Sequence, residues 1–216
     1  MAFSFSPRIV TDGLSVYYDV ANPRSYPGSG TTIYDLSRNG NNGTLINGVS
    51  YNTSSGGALV FDGTDDYVQF ASTYAGTICF WGIADVGATD GLQALVAATA
   101  TGDGSLRLGG GTFRAVSPNA PNADDYHVGY VNQFMINGVS NLSTNVNGCY
   151  IVPNSRTLNQ NFFVGAIGNR NVSTISHTFN GRVFKGNMFR VMIYNRQLTN
   201  NELLQNFNAH KTIFGL

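Results

Sequence analysis

Dipeptides that favour tight turns recur along the whole chain. Glycine follows Asn39, Asn42, Asn47, Asn137, Asn147 and Asn180, and also Asp12, Asp62, Asp90 and Asp103. Both pairings accept the positive φ angles that two-residue hairpins demand. Between them lie short apolar or alternating runs. Segments 14–19, 67–70 and 128–134 alternate with period two, whereas 58–61, 92–96, 162–167 and 188–194 are more evenly apolar. Many short strands divided by turn signals predict an all-β, two-sheet antiparallel jelly-roll sandwich.

One segment breaks this pattern. Thr199-Asn-Asn-Glu202 is a capping box, in which the Thr hydroxyl accepts the Glu amide and the Glu side chain reaches back. Leu203, Leu204 and Phe207 follow at helical spacing, so a short helix over 200–210 is expected to lie on the sheets. Glu202 is the only Glu in the chain. Helix-rich sequences use Glu freely because straight side chains lose little entropy in a helix, so its scarcity fits the β reading.

No composition break marks a linker. The expectation is a single domain over 1–216, with an N-terminal arm at 1–12 and a C-terminal helix and tail at 199–216. The pentapeptide Ile-Asn-Gly-Val-Ser occurs at 46–50 and again at 136–140, but the flanks differ, so it is a shared turn and not a structural repeat. Both ends are apolar, and each is expected to dock on the domain or on a neighbouring molecule.

Charged residues make up 11% of the chain and the formal net charge is +0, against about 25% charged in an ordinary soluble domain. No basic run exists to support nucleic-acid binding, and no apolar run has the length of a membrane span. The start of the chain has no signal-peptide pattern, so synthesis and assembly in a cytoplasm are expected. The polar surface must come from Asn, Ser, Thr and Gly, which suits a packed neighbour or a glycan. Sequons at Asn42, Asn52, Asn141 and Asn171 are what such a composition produces by chance. Cys79 and Cys149 lie in strand-like apolar runs and read as two buried thiols, with a disulfide as the alternative.

Candidate chemical groups are sparse. Asp62, Asp65 and Asp66 read as turn chemistry ahead of a strand, with Ca2+ binding by their oxygens as the alternative. Asp124 and Asp125 read as a solvated loop. His127, His177 and His210 lack metal-ligand spacing, and Gly109-Gly-Gly111 reads as a turn or bulge. Trp81 ends the run Ile78-Cys-Phe-Trp81 and reads as core. Tyr26, Tyr34, Tyr51 and Tyr74 lie in turn-rich stretches and are the surface candidates for stacking or a protein interface. No catalytic residue, cofactor or metal is assigned.

The order of motifs resembles a known superfamily. Gly13-Leu-Ser-Val-Tyr-Tyr-Asp19 is followed by Tyr34-Asp-Leu-Ser37, Asn39-Gly-Asn-Asn-Gly-Thr44 and Phe61-Asp-Gly-Thr-Asp-Asp-Tyr-Val68. Phe179-Asn-Gly-Arg182, Val191-Met-Ile-Tyr-Asn-Arg-Gln-Leu-Thr199 and the helix with Glu202 close the series. This is similar to laminin G-like domains of the concanavalin A-like lectin/glucanase superfamily, as found in virion proteins of tailed phages. Ile33 stands where these sequences often have Trp, and Arg38 where a small residue is usual. The resemblance implies a non-enzymatic structural protein of a phage virion, foremost a multi-copy capsid decoration that binds other virion proteins. A glycan-binding adhesin recognising host carbohydrate is the alternative, and a glycoside hydrolase the more distant one. Glucanases of the superfamily use paired Glu residues, and retaining hydrolysis needs two carboxyl groups about 5 Å apart, whereas this chain has Glu202 alone, already explained by capping.

Overall fold

The computed structural model describes residues 8–53, 56–75, 77–84, 92–97, 105–109, 112–116, 145–151, 162–167, 183–196 and 198–210. They form thirteen strands and one helix, in the order β1 (Leu14–Asp19), β2 (Thr32–Ile33), β3 (Gly43–Ile46), β4 (Ser50–Asn52), β5 (Ala58–Asp62), β6 (Tyr67–Ala75), β7 (Thr77–Ala84), β8 (Leu92–Ala97), β9 (Ser105–Gly109), β10 (Thr112–Val116), β11 (Asn145–Ile151), β12 (Phe162–Ile167), β13 (Lys185–Tyr194) and α1 (Asn200–His210). The protein is therefore mostly β with one short C-terminal helix, as the turn signals and the capping box predict. Segment 128–134 lies outside the described residues.

All the strand pairs are antiparallel. One sheet runs β11-β7-β13-β5-β4, with β1 also on β13, and the other runs β10-β9-β8-β12-β6-β3-β2. Along one edge of β13, β5 pairs with Lys185–Met188 and β1 continues from Arg190 to Tyr194. The two sheets meet in one buried cluster, where Tyr18, Phe61, Phe80 and Val191 of the first face Ile33, Val68 and Phe70 of the second. Tyr18 packs edge-on against Phe70 across the interface at 5.9 Å. Each such side chain contributes roughly 1.5–3 kcal/mol through burial.

The evenly apolar runs have a structural reason: both faces of these strands are covered. In β7, Ile78 and Phe80 face the core, whereas Cys79 and Trp81 belong to clusters that include Leu203 and Phe207 of α1. A bulge in β13 between Met188 and Arg190 resets the alternation, an extra residue that turns the strand's faces over. Residues 8–10 dock beside the helix: Asn206 Oδ1 accepts the Val10 amide at 2.8 Å and Tyr194 donates to the Val10 carbonyl at 2.9 Å.

Three sequence expectations need correction. Leu204 is 43% exposed, while Asn206 and His210 are buried with Leu203, so the inward face of α1 is partly polar. Cys79 is disulfide-bonded, and its opposite number in the β7–β11 register is Cys149, the other cysteine of the chain. The thiol reading fails because spacing along the chain says nothing about strand pairing. Not every turn dipeptide makes a turn, either. Asn147-Gly148 lies within β11 and Gly43 opens β3. A Cβ at Gly43 would lie 2.6 Å from Val68 Cγ1 and 2.8 Å from Ile33 Cγ2, so that glycine serves close packing.

Candidate functional site

Two loops between strands gather the polar groups. The first is the crossover from β5 to β6. Asp62 Oδ1 accepts the Thr64 amide at 2.7 Å, and Asp66 Oδ2 accepts the Asp62 amide at 3.0 Å. This is the turn chemistry expected from sequence. The turn also brings the carboxylates of Asp62, Asp65 and Asp66 together, with one oxygen from each all within 4.8 Å of one another. Asp66 is only 2% exposed. Burial raises its pKa, the Asp62 amide opposes that rise, and the charges of Asp62 and Asp65 add to it. Asn47, at φ 64° in the β3–β4 turn, donates through Nδ2 to the Asp65 carbonyl at 3.1 Å and ties the two loops together.

The second loop spans 34–42, and its organiser is a residue the sequence did not single out. Asp35 Oδ1 accepts the amides of Tyr17 and Ser37, both at 2.9 Å, and Oδ2 accepts the Ser37 hydroxyl at 2.6 Å and the Asn41 amide at 3.1 Å. Its carboxylate is saturated by structure. The signal lay in the Asx-turn pattern Asp35-Leu-Ser37. The loop presents Tyr34, 47% exposed, beside the exposed residues Arg38, Asn39 and Gly40.

The remaining aromatic candidates divide. Tyr26 is buried, contrary to expectation, with its hydroxyl donating to the Gly30 carbonyl at 2.9 Å and its ring against Tyr51 at 5.4 Å. Tyr51 is half-buried. Trp81 is fully enclosed, stacked on Phe207 at 5.9 Å, as its apolar run predicts. The side chain of Tyr74 lies outside the described residues, as do Asp124, Asp125, His127, His177 and residues 110–111 of the glycine run.

Glu202 closes its capping box: its Oε2 accepts the Thr199 amide at 2.8 Å, and Thr199 Oγ1 accepts the Glu202 amide at 3.4 Å. Arg196 also grips it, with contacts of 3.1 and 2.6 Å. That guanidinium, followed by the Thr199 amide, holds the carboxyl down to about 2. His210, the last residue of α1, packs against Trp81 at 5.5 Å. Burial first, and then the Arg190 charge, lower it to about 4, against a hydrogen bond to the Asn206 carbonyl. Among the described residues no helix is long and apolar enough to cross a membrane.

No family model and no curated protein matches the sequence. Solved structures do. Trypanosoma rangeli sialidase in complex with sialic acid superposes with a TM-score of 0.56 at 13% identity, over 97% of this chain and 36% of that one. The chain thus spans about a third of the sialidase. Domain 4 of AbnA, a GH43 extracellular arabinanase from Geobacillus stearothermophilus solved with arabinotriose, matches with a TM-score of 0.56 at 15% identity, over 91% of this chain and 98% of that domain. At these identities the likeness establishes the fold.

These matches overturn two expectations. The chain was expected to be a virion decoration protein, yet these two matches come from a sialidase and an arabinanase and bring no link to a phage. It was also expected to stand apart from enzymes because Glu202 is its only Glu. Portions of a sialidase and an arabinanase carry this same fold, so that inference does not hold.

Proposed function

We propose that the chain is a concanavalin A-like jelly-roll domain that recognises carbohydrate. The observation that carries this reading is the match over 98% of an arabinanase domain solved with arabinotriose. Three features support it. The formal net charge of +0 favours a neutral saccharide over an anionic one. Tyr34 offers an exposed ring on a loop braced by Asp35, and a rigid aromatic face with amides beside it suits a sugar ring, apolar on one face and hydroxylated at its edge. A disulfide at Cys79 supports work outside a reducing cytoplasm.

The test is calorimetry of the full chain against arabinotriose, other neutral oligosaccharides and sialyllactose, with reducing-end release measured in the same samples. Saturable binding of a neutral oligosaccharide that is lost in Tyr34→Ala supports the reading. Binding to none of the panel overturns it, and binding confined to the sialylated ligand overturns the preference for neutral sugars.

A further inference from the structure

Arg38 holds a backbone conformation that its side chain disfavours. Its φ is 74°, in the left-handed region where a Cβ crowds the following carbonyl oxygen. Asn47, the other non-glycine residue with positive φ among the described residues, is of a type that tolerates this region. No local contact compensates Arg38. Its side chain is exposed, and among the described residues its guanidinium has no hydrogen-bond or ion-pair partner. Arg190 and Arg196, by contrast, sit in ion pairs. Asp35 is the only acid of the 34–42 loop, and four donors already occupy its two oxygens. The chain on either side of Arg38 is fixed, because the Ser37 amide donates to Asp35 at 2.9 Å and Asn39 Nδ2 donates to the Leu14 carbonyl at 2.8 Å. A strained residue on a braced loop, with its functional group left free, is the pattern of a ligand clamp.

We propose that Arg38 is the specificity-determining residue of the Tyr34 platform, donating paired N–H bonds to two neighbouring hydroxyls of the sugar ring stacked there. The inference rests on the carbohydrate reading above and names what selects among saccharides, a ring with a free vicinal diol. The 34–42 loop carries one acid and one base, so the loop itself has no net charge to draw an anion. What Arg38 adds is direction, since a guanidinium holds its donors in a planar fork. Tyr34 is 47% exposed on the same loop. A Cβ at Gly40 would meet nothing within 4 Å, so the loop tip is open to an approaching ring.

The test is calorimetry of the full chain and its variants against arabinotriose, xylotriose, cellotriose, maltotriose and sialyllactose, with Tm measured on the same samples. Glycine adopts the left-handed conformation without a Cβ penalty, so Arg38→Gly is expected to keep or raise the Tm. Its affinity for the neutral trisaccharides is expected to fall roughly tenfold or more, the size of a lost charge-assisted hydrogen bond, and the differences among them to narrow. Arg38→Asn, which also accepts this backbone angle, behaves alike. Arg38→Lys keeps the charge, loses the fork and weakens binding as Gly does. Undiminished binding in Arg38→Gly, with binding lost in Tyr34→Ala, overturns this inference and leaves the carbohydrate reading standing. Full affinity in Arg38→Lys overturns the fork, and binding of sialyllactose alone overturns the diol. A lowered Tm in both Arg38→Gly and Arg38→Asn assigns the side chain a structural role and overturns it too. Wild-type protein that binds no saccharide overturns both this inference and the reading it rests on.

Discussion

Arg190 Nε stands 2.9 Å from Asp19 Oδ1, and the two side chains are 4% and 11% exposed. The residues are opposite each other in the β1–β13 register, so the ion pair joins the first strand to the last. Tyr17 adds a hydroxyl to Asp19 Oδ2 at 3.3 Å. Taking one partner away leaves the other charge buried and uncompensated, which costs about 3–5 kcal/mol. Asp19→Asn is therefore expected to lower the urea midpoint sharply, whereas the paired change Asp19→Leu with Arg190→Met recovers most of the loss. Equal destabilisation by the single and paired variants would show that packing, and not charge, is at stake.

The capping box offers a smaller effect. Thr199→Ala removes the acceptor of the Glu202 amide and is expected to cost about 1 kcal/mol in thermal or urea unfolding. The same substitution leaves the Arg196–Glu202 contacts in place, so the helix remains and only its first turn loosens. A loss several times larger would mean that α1 unfolds as a unit when its first turn fails.

Removing the disulfide at Cys79 is expected to cost about 2–4 kcal/mol, chiefly by freeing the unfolded chain. The measurement is the urea midpoint with and without dithiothreitol, with Cys79→Ser as the reduced reference. An unchanged midpoint on reduction would show that the bond adds nothing to stability.

Local chemistry was legible in the sequence, and its assembly was not. Segment 14–19 and the helix over 200–210 match β1 and α1 because each is encoded in its own residues, by alternation and by a capping box. Gly43 and Gly148 were misread as turn residues because what fixes them, contact with Val68 and pairing with Phe80, comes from distant strands. The trio at 62–66 was visible as oxygens in a turn, but the burial of Asp66 depends on the β3–β4 turn behind it. Nothing local in the sequence marks the polar side chains of Asn206 and His210 for burial. They are buried because the outer face of β13 presents Tyr194, whose hydroxyl accepts from Asn206 Nδ2 at 3.0 Å, and because Arg190 and Trp81 lie beneath the last turn.

That buried histidine sets an acid limit on the fold. His210 is lowered from 6.5 to about 4 by burial and by the Arg190 charge. Its neutral form is thus the one the folded state accepts, with Nδ1 donating to the Asn206 carbonyl at 3.0 Å. In the unfolded chain the ring takes up a proton as pH falls through about 6.5, while the folded protein resists until about 4. Over that interval the unfolded state binds more protons, so stability falls as pH falls. The contribution is complete above pH 6.5 and is lost progressively toward pH 4, on the order of 3 kcal/mol in all. Glu202, held to about 2, loses its own contribution in a lower window, between its ordinary value near 4.5 and 2, so the two separate along the pH axis. Urea midpoints at intervals from pH 7.5 to 4 are expected to decline in wild type and to flatten in His210→Gln, whose side chain stays neutral throughout. A decline of the same slope in His210→Gln would assign the acid sensitivity to another group.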